Sequence, residues 1–161
     1  MPAVVDVLTF EGMMDRLAQL QAELVRPPMA EDVAAVVHAY PAQAQSRFLE
    51  MRALLFAVAE RLPDPVALDE TLKWGEPAYR PRTQGGTRQK GTTVRLHWKP
   101  NYGDKFGLFV PCQSTVIVQM RELYGELLEL EGNRALWLPL QGSFVQDPVE
   151  HFFSLALQYR K

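Results

Sequence analysis

Residues 93–99, TVRLHWK, alternate without a break: Val94, Leu96 and Trp98 fall on one side, Arg95, His97 and Lys99 on the other. A period of two belongs to an extended strand with one buried and one wetted face. KFGLFV, residues 105–110, repeats the pattern with Phe106, Leu108 and Val110 together, and PNYGD between them is a turn-rich link of hairpin length. ELLELE (126–131) and RALWLPL (134–140) read as a second pair around Gly132-Asn133, a dipeptide suited to a tight hairpin turn. Strands of this kind have an apolar face that must be covered, which dictates what the rest of the chain has to supply.

The cover is legible as helices. Met13, Leu17, Leu20 and Leu24 step by three and four until Pro27-Pro28, and Val33, Val36, Val37 and Tyr40 make a second, shorter stripe ended by Pro41. The clearest helix carries Phe48, Met51, Leu55, Val58 and Leu62 through a glycine-free stretch closed by Pro63. Each of these is amphipathic and has one stripe to bury. STVIVQMRELY, residues 114–124, fits both a helical spacing and a β-branched run, and reads as a helix. A last helix is predicted from Asp147 as N-cap, Pro148 at the first helical position and Glu150 completing a capping box, with Val149, Phe152, Phe153, Ala156 and Leu157 as its buried stripe. Helices, then antiparallel hairpins, then a closing helix give an α+β fold, an antiparallel β-sheet with N- and C-terminal helices packed on one face. The other face, by alternation, carries Arg95, His97, Lys99, Phe109, Leu127, Glu129, Ala135 and Trp137. It could serve as a ligand platform, a homodimer interface or a set of solvated cross-strand pairs.

Charge is unevenly placed. Between Lys73 and Lys105 eight bases face only Glu76 and Asp104, a net of +6 against −8 for the remainder. Such a division marks either an anion-attracting surface or a basic face balanced by an acidic one within the fold. Arg95, His97 and Lys99 beside Trp137 and Phe109 could track a phosphate backbone, but a pI near 5.9 disfavours nucleic acid as the partner. Cys112 is the only cysteine, which excludes an intrachain disulfide. MPAVVDVLTFEGMM lacks a basic n-region and no uncharged apolar run reaches the length of a membrane span, so a cytoplasmic chain without a membrane partner is expected. The loop RTQGGTRQKG, residues 82–91, is the one stretch expected to be mobile. Its glycines and bases lack a G-K-[ST] ending and make at most a loose anion nest.

ETLKWGEPAYR, residues 70–80, packs a tryptophan, a glycine and a proline into four positions. Pro77 lacks a donor and holds Glu76 extended, while Gly75 can turn where other residues would strain. Packing alone would make this a corner, in which a helical turn near 68–73 passes into a strand starting at Ala78, Trp74 plugs the bend and Glu76 pairs with Arg134. A binding role accounts for the polar residues as well. Lys73, Arg95 and His97 would attract an anionic or polar group, Trp74 and Tyr79 would give ring surface, and Glu76 would fix orientation. These six are the candidate ligand-binding residues, and no catalytic residue is assigned. His97 and Cys112 could meet across the first hairpin as a base and a nucleophile, but a cysteine without an activating charge is usually a small buried hydrophobe. No nucleophile elbow, Walker loop or paired catalytic carboxylates are found. His38, His97 and His151 are scattered, with no H-x-x-x-H or C-x-x-C spacing, so neither a metal site nor a cofactor is assigned.

In chain order, VVHAYP, EMRALLFAVAE, ETLKWGEPAYR, TVRLHWK, FVPCQSTV, MRELYGELLELEGNRALWLPL and the C-terminal ALQYR resemble the YdhG-like family, domain of unknown function 1801. The resemblance covers about residues 33–161 and rests on the combination, since each piece is short. It implies a compact α/β sandwich, frataxin-like in outline, with no established catalytic activity. It also divides the chain into an N-terminal helical extension, 1–30, and a YdhG-like domain, 31–161. The expected function is a non-enzymatic binding or carrier module for a small anionic or polar ligand or a protein partner. The alternative is frataxin-like iron handling by surface carboxylates: Glu11 with Asp15, Glu31 with Asp32, or Glu126, Glu129 and Glu131, as weak oxygen sites for a hard cation. Pro111 before Cys112 departs from the family's pattern and is expected to bend the strand end there.

Overall fold

The computed structural model describes residues 10–14, 16–17, 27–82 and 91–160. After the helical residues 10–14 and 16–17 come two helices, α1 (Glu31–His38) and α2 (Ala42–Arg61), followed by the strands β1 (Leu68–Lys73), β2 (Glu76–Pro81), β3 (Val94–His97) and β4 (Lys105–Phe109). Helix α3 (Val116–Tyr124), strands β5 (Glu129–Glu131) and β6 (Ala135–Pro139) and helix α4 (Gln146–Leu157) complete the chain. The strands form one open sheet in the order β1-β2-β3-β4-β6-β5, every neighbouring pair antiparallel. The α+β architecture expected from the alternation is present, with the helices packed against the sheet.

The core follows from the two periodicities. Val94, Leu96, Phe106, Leu108, Leu136 and Leu138 point inward from the central strands and share one buried cluster with Phe48, Met51 and Leu55 of α2 and Phe152 and Phe153 of α4. Each such side chain contributes about 1.5–3 kcal/mol relative to an exposed position. Helix α2 stops at Arg61 because Leu62, ahead of Pro63, is forced extended (ψ 150°). At the break before it, the Gln45 side-chain amide donates to the Tyr40 carbonyl at 2.8 Å.

Two arginines sit on the buried side of α2 where the apolar stripe alone was expected. Arg52 is fully buried; its Nε donates to Glu70 Oε2 at 2.6 Å and its Nη2 to Oε1 at 3.3 Å. Tyr79 donates its hydroxyl to Glu70 Oε2 and the Ala30 backbone N–H donates to Oε1, each at 2.7 Å. Burial, reinforced by the Glu70 charge, holds the Tyr79 hydroxyl far above the usual phenol range. Arg47 donates to the carbonyls of Pro139 (3.0 Å) and Gly142 (2.6 Å), tying α2 to the end of β6.

Several predicted boundaries move. Helix α4 begins at Gln146 with Val145 in the capping position and no side-chain cap, not at Asp147. Pro148 still lies in the first turn, where amides have no intrahelical acceptor, and Asp147 there suits the helix dipole. Of the predicted strand 126–131 only Glu129–Glu131 pairs; Gly125–Leu127 forms a 3-10 turn, and Glu131 opposite Ala135 leaves three residues in the hairpin loop. Phe10, Met13, Met14 and Leu17 are helical but exposed, so this stripe does not gain the cover expected of it. Leu20, Leu24 and loop residues 83–90 lie outside the described residues. Among the described residues no helix is long and apolar enough to cross a membrane.

Candidate functional site

The KWGEPAY stretch is a hairpin turn, not a corner between a helix and a strand. β1 and β2 are joined directly through Trp74 and Gly75, at φ 54° and 76°, with ladder pairs from Lys73–Glu76 to Leu68–Pro81. Two successive left-handed residues make the tight turn that a right-twisted hairpin needs, a position usually given to Asn-Gly. Pro77 fits inside β2 because its missing N–H falls where the ladder to β3, limited to Ala78–Arg95 and Tyr79–Val94, has ended. Trp74 plugs nothing, since its side chain is 80% exposed.

Register then decides which predicted residues meet. Lys73 and Glu76, Ala78 and Arg95, Arg95 and Phe109, Gly107 and Trp137 are opposed pairs, and all face away from the helices. Tyr79 faces the other way, fully buried against Glu70, and is not part of this surface. Arg95 is the centre of the group. Its guanidinium lies 5.4 Å from the Trp74 ring centroid and 5.2 Å from that of Phe109, and it bonds Glu76 Oε1 at 2.5 Å. Glu76 thus pairs with Arg95 rather than Arg134. Lys73 Nζ lies 5.3 Å from the same Trp74 ring.

The middle of the face is filled by rings. Gly107 has no side chain, and the Phe109 and Trp137 rings close over it with centroids 5.5 Å apart. Tyr102, from the 3-10 turn Pro100–Tyr102, folds back against both, at 6.0 and 4.8 Å. PNYGD announces a turn but gives no sign that its tyrosine covers the sheet. Phe109 and Ala135 become buried on a face expected to be open. Lys99 and Leu127 lie beyond the strand ends; Lys99 Nζ sits 5.2 Å from the Tyr102 ring, and Leu127 is in the 3-10 turn.

His97 stands at the lower edge of this surface. The Tyr40 oxygen takes a backbone bond from Trp98 and shares a hydrogen bond with His97 Nδ1 at 2.6 Å. Burial keeps the phenol well above its usual range, so it stays protonated. Burial likewise pulls His97 below its ordinary 6.5; Glu76 opposes the shift, and Lys99 and Arg95 reinforce it. A depressed folded-state value means that the unfolded chain takes up the proton first as the pH falls. The His97 contribution to stability is therefore intact above about 6.5 and is lost as the pH drops from there through the folded value. Melts from roughly pH 7.5 to 5.5 should show a falling Tm, and His97→Asn should flatten part of that slope. An unaltered slope in the variant would place the titration elsewhere.

The basic segment is balanced in part. Arg82 pairs with Asp69 at 2.7 Å, Arg95 with Glu76 and Lys105 with Glu129 at 2.5 Å; Asp69 and Glu129 come from outside the segment. Arg88 and Lys90 lie outside the described residues. Cys112 is exposed past the far end of β4, whereas His97 pairs with Gly107, so the two do not meet as nucleophile and base. Among the described residues no three His, Cys, Asp or Glu side chains gather to hold a metal ion, and Asp15 of one carboxylate pair lies outside them. Compared with protein-family models, with curated proteins and with solved structures, the chain finds no match.

Proposed function

We propose that the chain is a YdhG-like, non-enzymatic binding module whose outer sheet face takes a small ring-bearing anionic ligand at Trp74, Lys73 and Arg95. One observation carries this reading, the state of Trp74. A left-handed backbone costs a non-glycine residue roughly 1–2 kcal/mol, less for asparagine. A ring left 80% exposed recovers little of that by burial. Its two cation contacts return roughly 0.5–1 kcal/mol each at an exposed site. Neither the turn nor the core asks for an indole here: the cation contacts at most offset the strain, burial adds no surplus, and a strained residue held on those terms points to a functional position. A flat ring backed by an ammonium and a guanidinium offers stacking surface and positive charge together. Glu76 holds Arg95 in place between the two rings.

Trp74→Asn tests this cleanly, because asparagine suits the turn. The variant should be as stable as the wild type or gain up to about 1 kcal/mol, roughly 2–4 °C in Tm. Native mass spectrometry of wild-type protein purified gently without chelator should show added mass on the folded chain, absent from Trp74→Asn prepared in the same way. A bare wild-type chain, or equal added mass on both, would sink the proposal.

A further inference from the structure

Beside Trp74 the same face is hollow. A cavity of about 570 Å³ lies over the outer hairpin. Ala78, a small residue of this face, lines it, and Thr71, Lys73 and Arg80 stand around it from β1 and β2. Thr92 and Thr93, leading into β3, close the far side. Register explains the grouping: Thr71 opposes Ala78, and continuing the pairing past Tyr79–Val94 brings Thr93 beside Arg80. The entry to β3 is also pinned. Gly91 N–H donates to the Tyr159 carbonyl at 2.7 Å and Thr92 N–H to that of Ala156 at 2.8 Å, which fixes the threonines and brings Tyr159 to the cavity wall.

The lining is chemically one-sided. It holds two cations, three threonine hydroxyls and the Tyr159 phenol, and no Asp or Glu is among its described residues, Asp69 opposite Arg80 lying outside it. On a chain with a net charge of −2, a concavity of that kind concentrates anions. The guanidinium fork and the hydroxyls match the several terminal oxygens of a phosphate better than the two of a carboxylate. Lys73 belongs to both places, lining the cavity while its Nζ lies 5.3 Å from the Trp74 ring. An anion bound there is therefore next to the indole.

We infer that this cavity is a phosphate subsite, and that the ligand is a small ring-bearing phosphate monoester of which a nucleoside monophosphate is the simplest example. The ring half of that statement rests on the platform reading above; the phosphate half rests on the cavity alone. Calorimetric titration of the full chain at low salt with adenosine 5′-monophosphate, adenosine and inorganic phosphate separates them. The monophosphate should bind at least about tenfold more tightly than adenosine, since charge-assisted bonds are roughly twice as strong as neutral ones. Arg80→Gln with Thr93→Val should abolish that advantage and leave adenosine unaffected, while Trp74→Asn should weaken both ring-bearing probes and spare inorganic phosphate. Arg80 is exposed, so Arg80→Gln alone serves if the double variant melts early. Equal affinity for monophosphate and adenosine, an advantage that survives the cavity changes, or no binding of any probe overturns the subsite. Tighter binding of a single-stranded oligonucleotide through the same residues overturns the small-ligand assignment. A phosphate advantage lost with the cavity residues but indifferent to Trp74→Asn keeps the subsite and removes the platform.

Discussion

Glu70→Leu made alone is expected to destabilise the protein by about 3–5 kcal/mol, because it leaves the fully buried Arg52 guanidinium without its counter-charge. That is a large share of the roughly 5–15 kcal/mol that holds a typical domain together. Arg52→Met alone should cost a similar amount, since the Glu70 carboxylate would then be stranded with only the Tyr79 hydroxyl and the Ala30 N–H as partners. The two changes together should cost far less than their sum. Exchanging both ends of a buried ion pair for apolar side chains is often neutral or better. What remains is the loss of an acceptor for two buried donors, at about 1–3 kcal/mol each, and adding Tyr79→Phe should recover one of them. Urea unfolding of the wild type and the four variants measures this directly. Additive single effects would show that Arg52 and Glu70 do not act as a pair.

The same network explains why β1 was hard to read. In LDETLK the inward positions are Leu68, Glu70 and Leu72, so the geometry alternates while the hydropathy does not. A carboxylate at the centre of a buried row makes sense only once Arg52 is known to stand opposite it. Arg52 in turn interrupts an α2 face that apolar periodicity alone describes as Phe48, Met51 and Leu55. Each half of the pair looks like a surface residue until the other is placed. β3, β4 and β6 carry no such charge on their inner rows, and their strands could be read from alternation alone.

The candidate site divides along the same line. Lys73, Trp74, Glu76 and Arg95 were found as a group, and the structure brings them together around one guanidinium. Tyr79 was expected among them for its ring surface. Because the strand starts at Glu76 rather than Ala78, Glu76 and Tyr79, three positions apart, face opposite ways. The cavity was invisible for a different reason. Thr71, Thr92 and Thr93 carry no local signal, and only the pairing of β1, β2 and β3 sets them around Ala78.

Gly107→Ala should lower stability by about 1–3 kcal/mol, although in most strands the same change would raise it by removing a flexible residue. The sign is the test. A Cβ at this position would fall inside the contact distance of the Phe109 ring and 3.1 Å from Trp137 Cζ3, and Tyr102 packs on both rings from above. The rings cannot tilt away without exposing apolar surface that Gly107 now lets them bury. Phe109 also forms one side of the Arg95 sandwich, so its displacement loosens the guanidinium beneath Trp74. The variant should therefore show a reduced near-ultraviolet aromatic signal and weaker binding of a ring-bearing probe, even though no residue of the Trp74 turn has been touched. Phe109→Leu lacks the ring atoms that collide, so the double variant should be more stable than the two single changes predict, by on the order of 1 kcal/mol. A stabilised Gly107→Ala with an unchanged aromatic signal would mean that the rings do not close over this strand, and that Arg95 is held by Glu76 and Trp74 alone.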